Sequence, residues 1–301
     1  MAHENFHGIF PAFYACYTPE GAVCTQRVRA LARYLQSKGV QGLYVGGSSG
    51  ECIYQSVDER KQVLEAVMEE VGSELTIIAH VACNNTPDSR ALAAHAESLG
   101  VHAIASIPPI YFHLPEASIA QYWNDISDAA PNTPFIIYNI PQLAGVSLSV
   151  PLLRKMKENP RVIGVKNSSM PVQDIQMWHD EEVLVFNGPD EQLLSGLAAG
   201  ACGGIGGTYA AMPELFLAIW DCYHKGDMEK GRVLQNEACR IIYQMCMADC
   251  NLYAVLKEVV RLQGGPDAGD VRAPLTGLTA RGRAVAAQSA QHITDALARL
   301  L

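Results

Sequence analysis

A lysine ends an otherwise apolar run in Arg161-Val162-Ile163-Gly164-Val165-Lys166-Asn167-Ser168-Ser169. An amine held among apolar neighbours gives up its proton more easily than one in water, and the free amine attacks ketones to form a Schiff base. On that run alone, a charge leaving a strand end into solvent is the better reading. Tyr138 closes the preceding run, Phe135-Ile136-Ile137-Tyr138-Asn139-Ile140-Pro141, as Lys166 closes its own. A phenol there can move a proton to and from a substrate. It can equally be a core aromatic with a satisfied hydroxyl. A third candidate is Tyr44-Val45-Gly46-Gly47-Ser48-Ser49-Gly50-Glu51. Its glycines let the backbone approach a ligand closely. Ser48 and Ser49 offer hydroxyls and N–H groups near an expected helix start, which suits a carboxylate. The loop lacks the G-K-[ST] ending of a phosphate loop, and a glycine-rich turn with no ligand remains open.

These residues need a frame that collects strand ends. Short apolar runs occur at residues 8–17, 42–45, 75–81, 103–107, 134–139, 162–166, 182–187 and 202–206. Amphipathic stretches follow them at 25–38, 57–71, 86–99, 115–130, 150–158, 171–179, 190–199 and 213–224. Strand–helix alternation implies right-handed crossovers and a parallel sheet. Eight even units predict an α/β fold of the (β/α)8 TIM-barrel type, with the active site where strands end and loops begin. A doubly wound open sheet fits less well, because no G-x-G-x-x-G follows the first strand. Thr25 and Thr86 are the expected caps of their helices, the latter followed by Pro87, and Ser56 with Glu59 forms a capping box. Residues 228–262 read as a long helical stretch broken near 249–251, and 279–301 as a last amphipathic helix. The expected organisation is a barrel over 1–227 and a C-terminal helical extension over 228–301, packed on the barrel.

Lys and Arg number 22 against 31 Asp and Glu, a formal charge of −9. That balance argues against nucleic acid and anionic membrane surfaces as partners. With 49% hydrophobic residues and a mean hydropathy of +0.06, the chain does not have the composition of a disordered protein. Nine scattered cysteines without a C-x-x-C pair, and a polar start lacking an apolar signal core, predict a reducing cytoplasm. No run of 18 apolar residues predicts a membrane span. The nine histidines contain no H-x-H or H-E-x-x-H; His80 and His95 read as structural, and no metal ligand set or cofactor is expected.

Together, G-G-S-S-G-E at 46–51, Y-N-I-P at 138–141 and G-V-K at 164–166 identify a resemblance. The chain resembles the N-acetylneuraminate lyase and dihydrodipicolinate synthase family of class I pyruvate-dependent aldolases along nearly its whole length. The resemblance implies a homotetrameric (β/α)8 barrel with a C-terminal helical segment. It implies Lys166 as the imine-forming lysine, Tyr138 as the proton-transferring phenol, and Ser48 and Ser49 as holders of the pyruvate carboxylate, with Ser49 also near the proton path. Tyr111 matches a tyrosine that reaches into a neighbouring subunit's site. Leu143 stands where dihydrodipicolinate synthases carry an arginine. Asn187-Gly188-Pro189-Asp190-Glu191 resembles the lyase stretch whose acids bind sugar hydroxyls. Two adjacent carboxylates are good acceptors for a polyol, although an acidic helix N-terminus is favoured by the dipole anyway. Ser168 replaces a common threonine, and Gly207 stands where sialate lyases often carry a serine.

The expected function is therefore reversible, metal-free cleavage of N-acetylneuraminate to N-acetylmannosamine and pyruvate. Dihydrodipicolinate synthase, or an aldolase for another keto-deoxy sugar acid, is the alternative within the family. A barrel that only binds a keto acid is the alternative from another class. The expected partners are a small-molecule keto or sugar acid and further copies of the chain.

Overall fold

A computed structural model describes residues 3–301. The strands are β1 (Gly8–Pro11), β2 (Gly42–Val45), β3 (Thr76–His80), β4 (Ala103–Ser106), β5 (Phe135–Asn139), β6 (Val162–Asn167), β7 (Leu184–Asn187) and β8 (Gly203–Gly206). All neighbours pair in parallel, in the order β1-β8-β7-β6-β5-β4-β3-β2. The ring closes where Gln41 N donates to Ile9 O, Phe13 N donates to Tyr44 O, and Ala12 bridges Tyr44. The fold is a (β/α)8 barrel.

The helices are α1 (Thr25–Ser37), α2 (Val57–Val71), α3 (Thr86–Ser98), α4 (Glu116–Asp128), α5 (Pro141–Ala144), α6 (Val150–Met156), α7 (Val172–Asp180), α8 (Leu193–Ala198), α9 (Pro213–Lys225), α10 (Met228–Met245), α11 (Leu252–Leu262) and α12 (Ala280–Leu300). The barrel lumen holds one apolar cluster, including Phe10, Tyr44, Ile136, Tyr138, Phe186 and Ile205. A second, larger cluster fills the layer between strands and helices and continues into α10, α11 and α12. Inward and outward side chains alternate along each strand, which separates the two layers.

Local chemistry moved several expected boundaries. The first run is a strand only to Pro11; beyond Ala12 it leaves the ring as a loop. Cys24, not Thr25, precedes α1, and it makes no side-chain cap. Asn85, not Thr86, caps α3, because its side chain accepts from Asp88 N; Pro87 then falls within the first turn. The Ser56–Glu59 capping box forms in both directions. The stretch 190–199 is not one helix: a 3-10 turn (Asp190–Gln192) precedes α8. The C-terminal break is real, and Asn251 restarts the chain by accepting from Tyr253 N at 2.9 Å.

Candidate active site

β5 and β6 pair in register, Tyr138 beside Lys166 and Asn139 beside Asn167. Alternation sends the first pair into the lumen and the second outward. Outside, Asn167 Oδ1 accepts from Asn139 Nδ2 at 2.8 Å and from Trp178 Nε1 at 3.0 Å, while Asn167 Nδ2 donates to Ser169. This buried, satisfied network fixes the strand ends that carry the inward pair.

Lys166 is 4% exposed. Its Nζ lies 4.0 Å from the centroid of the Tyr44 ring and 3.9 Å from that of Tyr138. Among the described residues, no carboxylate lies within ion-pair distance. Burial therefore dominates and lowers its pKa to about 7, against upward pulls from Asp190 and Cys52. Burial also raises Tyr138 to about 12, opposed by hydrogen bonds with Ser48 and Ser168. The phenol is thus protonated at rest while much of the amine is free. His80 makes an edge-to-face contact with the Tyr138 ring at 5.9 Å between centroids and is bonded through Nδ1 to Gly46 O at 2.9 Å. Burial holds it well below the usual imidazole range, so it is a neutral structural group.

Ser48 and Ser49 lie in a three-residue 3-10 turn (Ser48–Gly50), not at the start of an α-helix. Gly47 lets this turn rest on Tyr44, since a Cβ there would come within 2.7 Å of the ring. Ser49 Oγ donates to the Tyr253 hydroxyl at 3.1 Å. Glu51, next along, takes a left-handed conformation (φ 52°) and is buried. It accepts from Lys257 Nζ at 2.8 Å and from Arg272 N at 2.8 Å. The serine loop is thus clasped by α11 and by the segment that follows it.

The two expected sugar-binding acids separate. Asp190 is buried, and its Oδ2 accepts from both N and Oγ1 of Thr208 at 2.6 Å. Burial raises its pKa to about 7, against those hydrogen bonds. Glu191 is half-buried, and its carboxylate bonds to no other described residue. Gly188 admits no side chain: a Cβ would meet Ser168 Oγ at 2.1 Å. Gly207 lies beside Ser49 and Tyr253. Tyr111 is not in this chain's site. It is 85% exposed, in the left-handed region at φ 85°, with its ring against Phe112. Leu143 is also exposed, on α5.

Lys166, Tyr138, Ser48, Ser49, Ser168, Gly188, Asp190 and Gly207 therefore meet at one end of the barrel. The sequence reading missed Tyr44, Thr208 and Tyr253. Tyr44 ends β2 much as Tyr138 ends β5, a signal that was available. Tyr253 is brought in from α11 by tertiary packing, and no local pattern marks it. No group of three or more His, Cys, Asp or Glu among the described residues is placed to hold a metal ion. No helix among the described residues is long and apolar enough to cross a membrane.

Residues 5–293 match the model of the dihydrodipicolinate synthetase family. The chain is 56% identical over 301 residues to an N-acetylneuraminate lyase of Mediterraneibacter gnavus, covering 99% of this chain and 96% of that protein. The structure of the Ruminococcus gnavus wild-type sialic acid aldolase superposes with a TM-score of 0.98 at 56% identity, covering 99% of this chain and 100% of that one. The Proteus mirabilis N-acetylneuraminate lyase structure gives a TM-score of 0.89 at 28% identity, covering 95% and 98%.

Proposed function

The chain belongs to the dihydrodipicolinate synthetase family, and from that premise we propose that it reversibly cleaves N-acetylneuraminate to N-acetylmannosamine and pyruvate through an imine on Lys166. It is a carbon–carbon lyase, a sialic acid aldolase, acting on a small-molecule substrate. The observation that carries the mechanism is the buried Lys166 amine, with no counter-ion among the described residues and in contact with the Tyr138 ring.

The Lys166 amine adds to the C2 ketone of the open-chain sugar acid. Tyr138 gives its proton to the departing hydroxyl, so that water leaves and an iminium faces a phenolate. The phenolate takes the C4 hydroxyl proton. The C3–C4 bond breaks, its electrons neutralise the iminium as an enamine, and the aldehyde sugar departs. Tyr138 returns its proton to C3, and water hydrolyses the resulting imine to release pyruvate and the free amine. The raised pKa of Tyr138 supports this order, because a protonated phenol must act first as an acid. Ser48 and Ser49 hold the pyruvate carboxylate, with Ser168 and the backbone at Gly188 beside it. Glu191 is the freer acceptor for the polyol chain, with Asp190 beside it; Gly207 lines the same end. The apolar Leu143 after Y-N-I-P favours this substrate over one with a second carboxylate.

The working unit in this reading is a homotetramer in the cytoplasm, in which Tyr111 reaches a neighbour's site; nine free cysteines fit a reducing compartment. The deciding experiment is borohydride reduction with pyruvate, followed by peptide mapping, alongside pyruvate release from N-acetylneuraminate. One pyruvate-derived adduct on Lys166, with turnover, is expected. An adduct on another residue overturns the assignment. Turnover of pyruvate with aspartate semialdehyde instead would favour the dihydrodipicolinate synthase alternative.

A further inference from the structure

Tyr253 stands in the first turn of α11, one helical turn before Lys257. The two side chains hold successive parts of the serine loop: Tyr253 receives the Ser49 hydrogen bond, and Lys257 pairs with Glu51. The Tyr253 ring is further steadied by Tyr14, at 6.1 Å between centroids. Tyr14 itself is fixed by donating to Gly207 O at 2.7 Å. The Tyr253 hydroxyl thus accepts from Ser49, and its own proton has no acceptor among the described residues.

Beside that hydroxyl lies Gly207, which carries no side chain. A Cβ built on Gly207 would lie 3.5 Å from Ser49 Oγ and 3.5 Å from the Tyr253 hydroxyl. Both distances are ordinary contacts, and Gly207 does not have a left-handed φ. Neither backbone geometry nor crowding therefore requires glycine here. The space a side chain would take there, in ordinary contact with Ser49 and Tyr253, is left unfilled, and the charge of Asp190 reaches Tyr253. Burial, led by desolvation, keeps the Tyr253 phenol protonated and hence a donor.

We propose that Tyr253 is a specificity-determining residue whose hydroxyl donates to a sugar oxygen lodged over Gly207, selecting polyhydroxylated acceptor aldehydes. This rests on the aldolase reading above and deepens it. A site that offers a fixed hydrogen-bond donor discriminates against analogues lacking the matching oxygen. Tyr14, the Asn251 cap and the Lys257–Glu51 pair fix the donor in place before substrate arrives.

The test uses the full-length enzyme and the variant Tyr253→Phe. The KM for N-acetylneuraminate is expected to rise about tenfold, the scale of one lost hydrogen bond. The pyruvate concentration giving half-maximal borohydride trapping on Lys166 should stay within about twofold, because Ser49 keeps its hydroxyl and turns it to the carboxylate instead. Adding Gly207→Ser to that variant should recover most of the loss, since its hydroxyl enters the same space. An unchanged sugar KM overturns the proposal. So does a parallel rise in the sugar KM and the pyruvate trapping concentration, which would make Tyr253 only a prop for Ser49. A wild-type enzyme that releases no pyruvate from N-acetylneuraminate overturns the reaction assigned above, and this inference with it, before any variant is compared.

Discussion

Lys166 and Lys257 are 4% and 2% exposed, yet their surroundings differ in kind. Lys257 meets Glu51 at 2.8 Å, donates to Asp270 O at 3.0 Å and lies over the Tyr17 ring. Its charge is matched and two of its three donors are used. Lys166 lies between two aromatic rings with no carboxylate at ion-pair distance among the described residues, and burial outweighs the more distant pull of Asp190. Equal burial thus goes with a paired lysine in one place and with a lowered pKa in the other. The counter-ion, not depth, makes the difference.

The largest contrast comes from replacing each lysine by methionine. Lys166→Met should leave no borohydride-trapped adduct and lower turnover by more than ~10⁴-fold, the scale seen when a covalent nucleophile is removed. The same variant should melt above the wild type near neutral pH. The folded pKa of about 7 lies below the ordinary 10.5. Unfolding therefore takes up a proton between those values, and the penalty of burying the ammonium is full below pH 7. The gap in melting temperature should narrow as pH rises from about 7 towards 10.5. A variant less stable than wild type at pH 6 would contradict the comparison.

Lys257→Met should act in the opposite sense, costing about 3–5 kcal/mol in denaturant unfolding because Glu51 is left charged and buried. Glu51→Gln added to that variant should return part of it. A loss below about 1 kcal/mol would mean that the pair behaves as an exposed one. The smallest effect is a slope. The rate of pyruvate trapping on Lys166 should fall tenfold per pH unit below about 7 and level off above it. A fall that instead begins near pH 10 would show an amine with its ordinary proton affinity.

The barrel was readable in the sequence because each strand and helix carries its own periodicity. The ends of β5 and β6 put Tyr138 and Lys166 side by side from chain order alone. Cap positions slipped by one residue at Asn85, where several polar side chains compete for one helix start, and at Cys24, where no side chain caps the helix at all. The division between Asp190 and Glu191 could not be read, because it depends on Thr208 reaching back across the end of β8. Tyr253 was hidden for a related reason: its partner Ser49 is 204 positions away. Chemistry within one strand–loop unit shows in the sequence, whereas chemistry shared between distant units appears only after packing.

Glu51 and Lys257 are separated by 206 positions, and every barrel strand precedes α11 in the chain. During synthesis the amine and the phenol leave the ribosome long before the clasp that fastens the loop of Ser48 and Ser49. A polypeptide interrupted before Leu252 has Lys166 and Tyr138 but lacks the residues that fasten the loop. The order of translation therefore places every barrel strand ahead of the residues that fasten that loop.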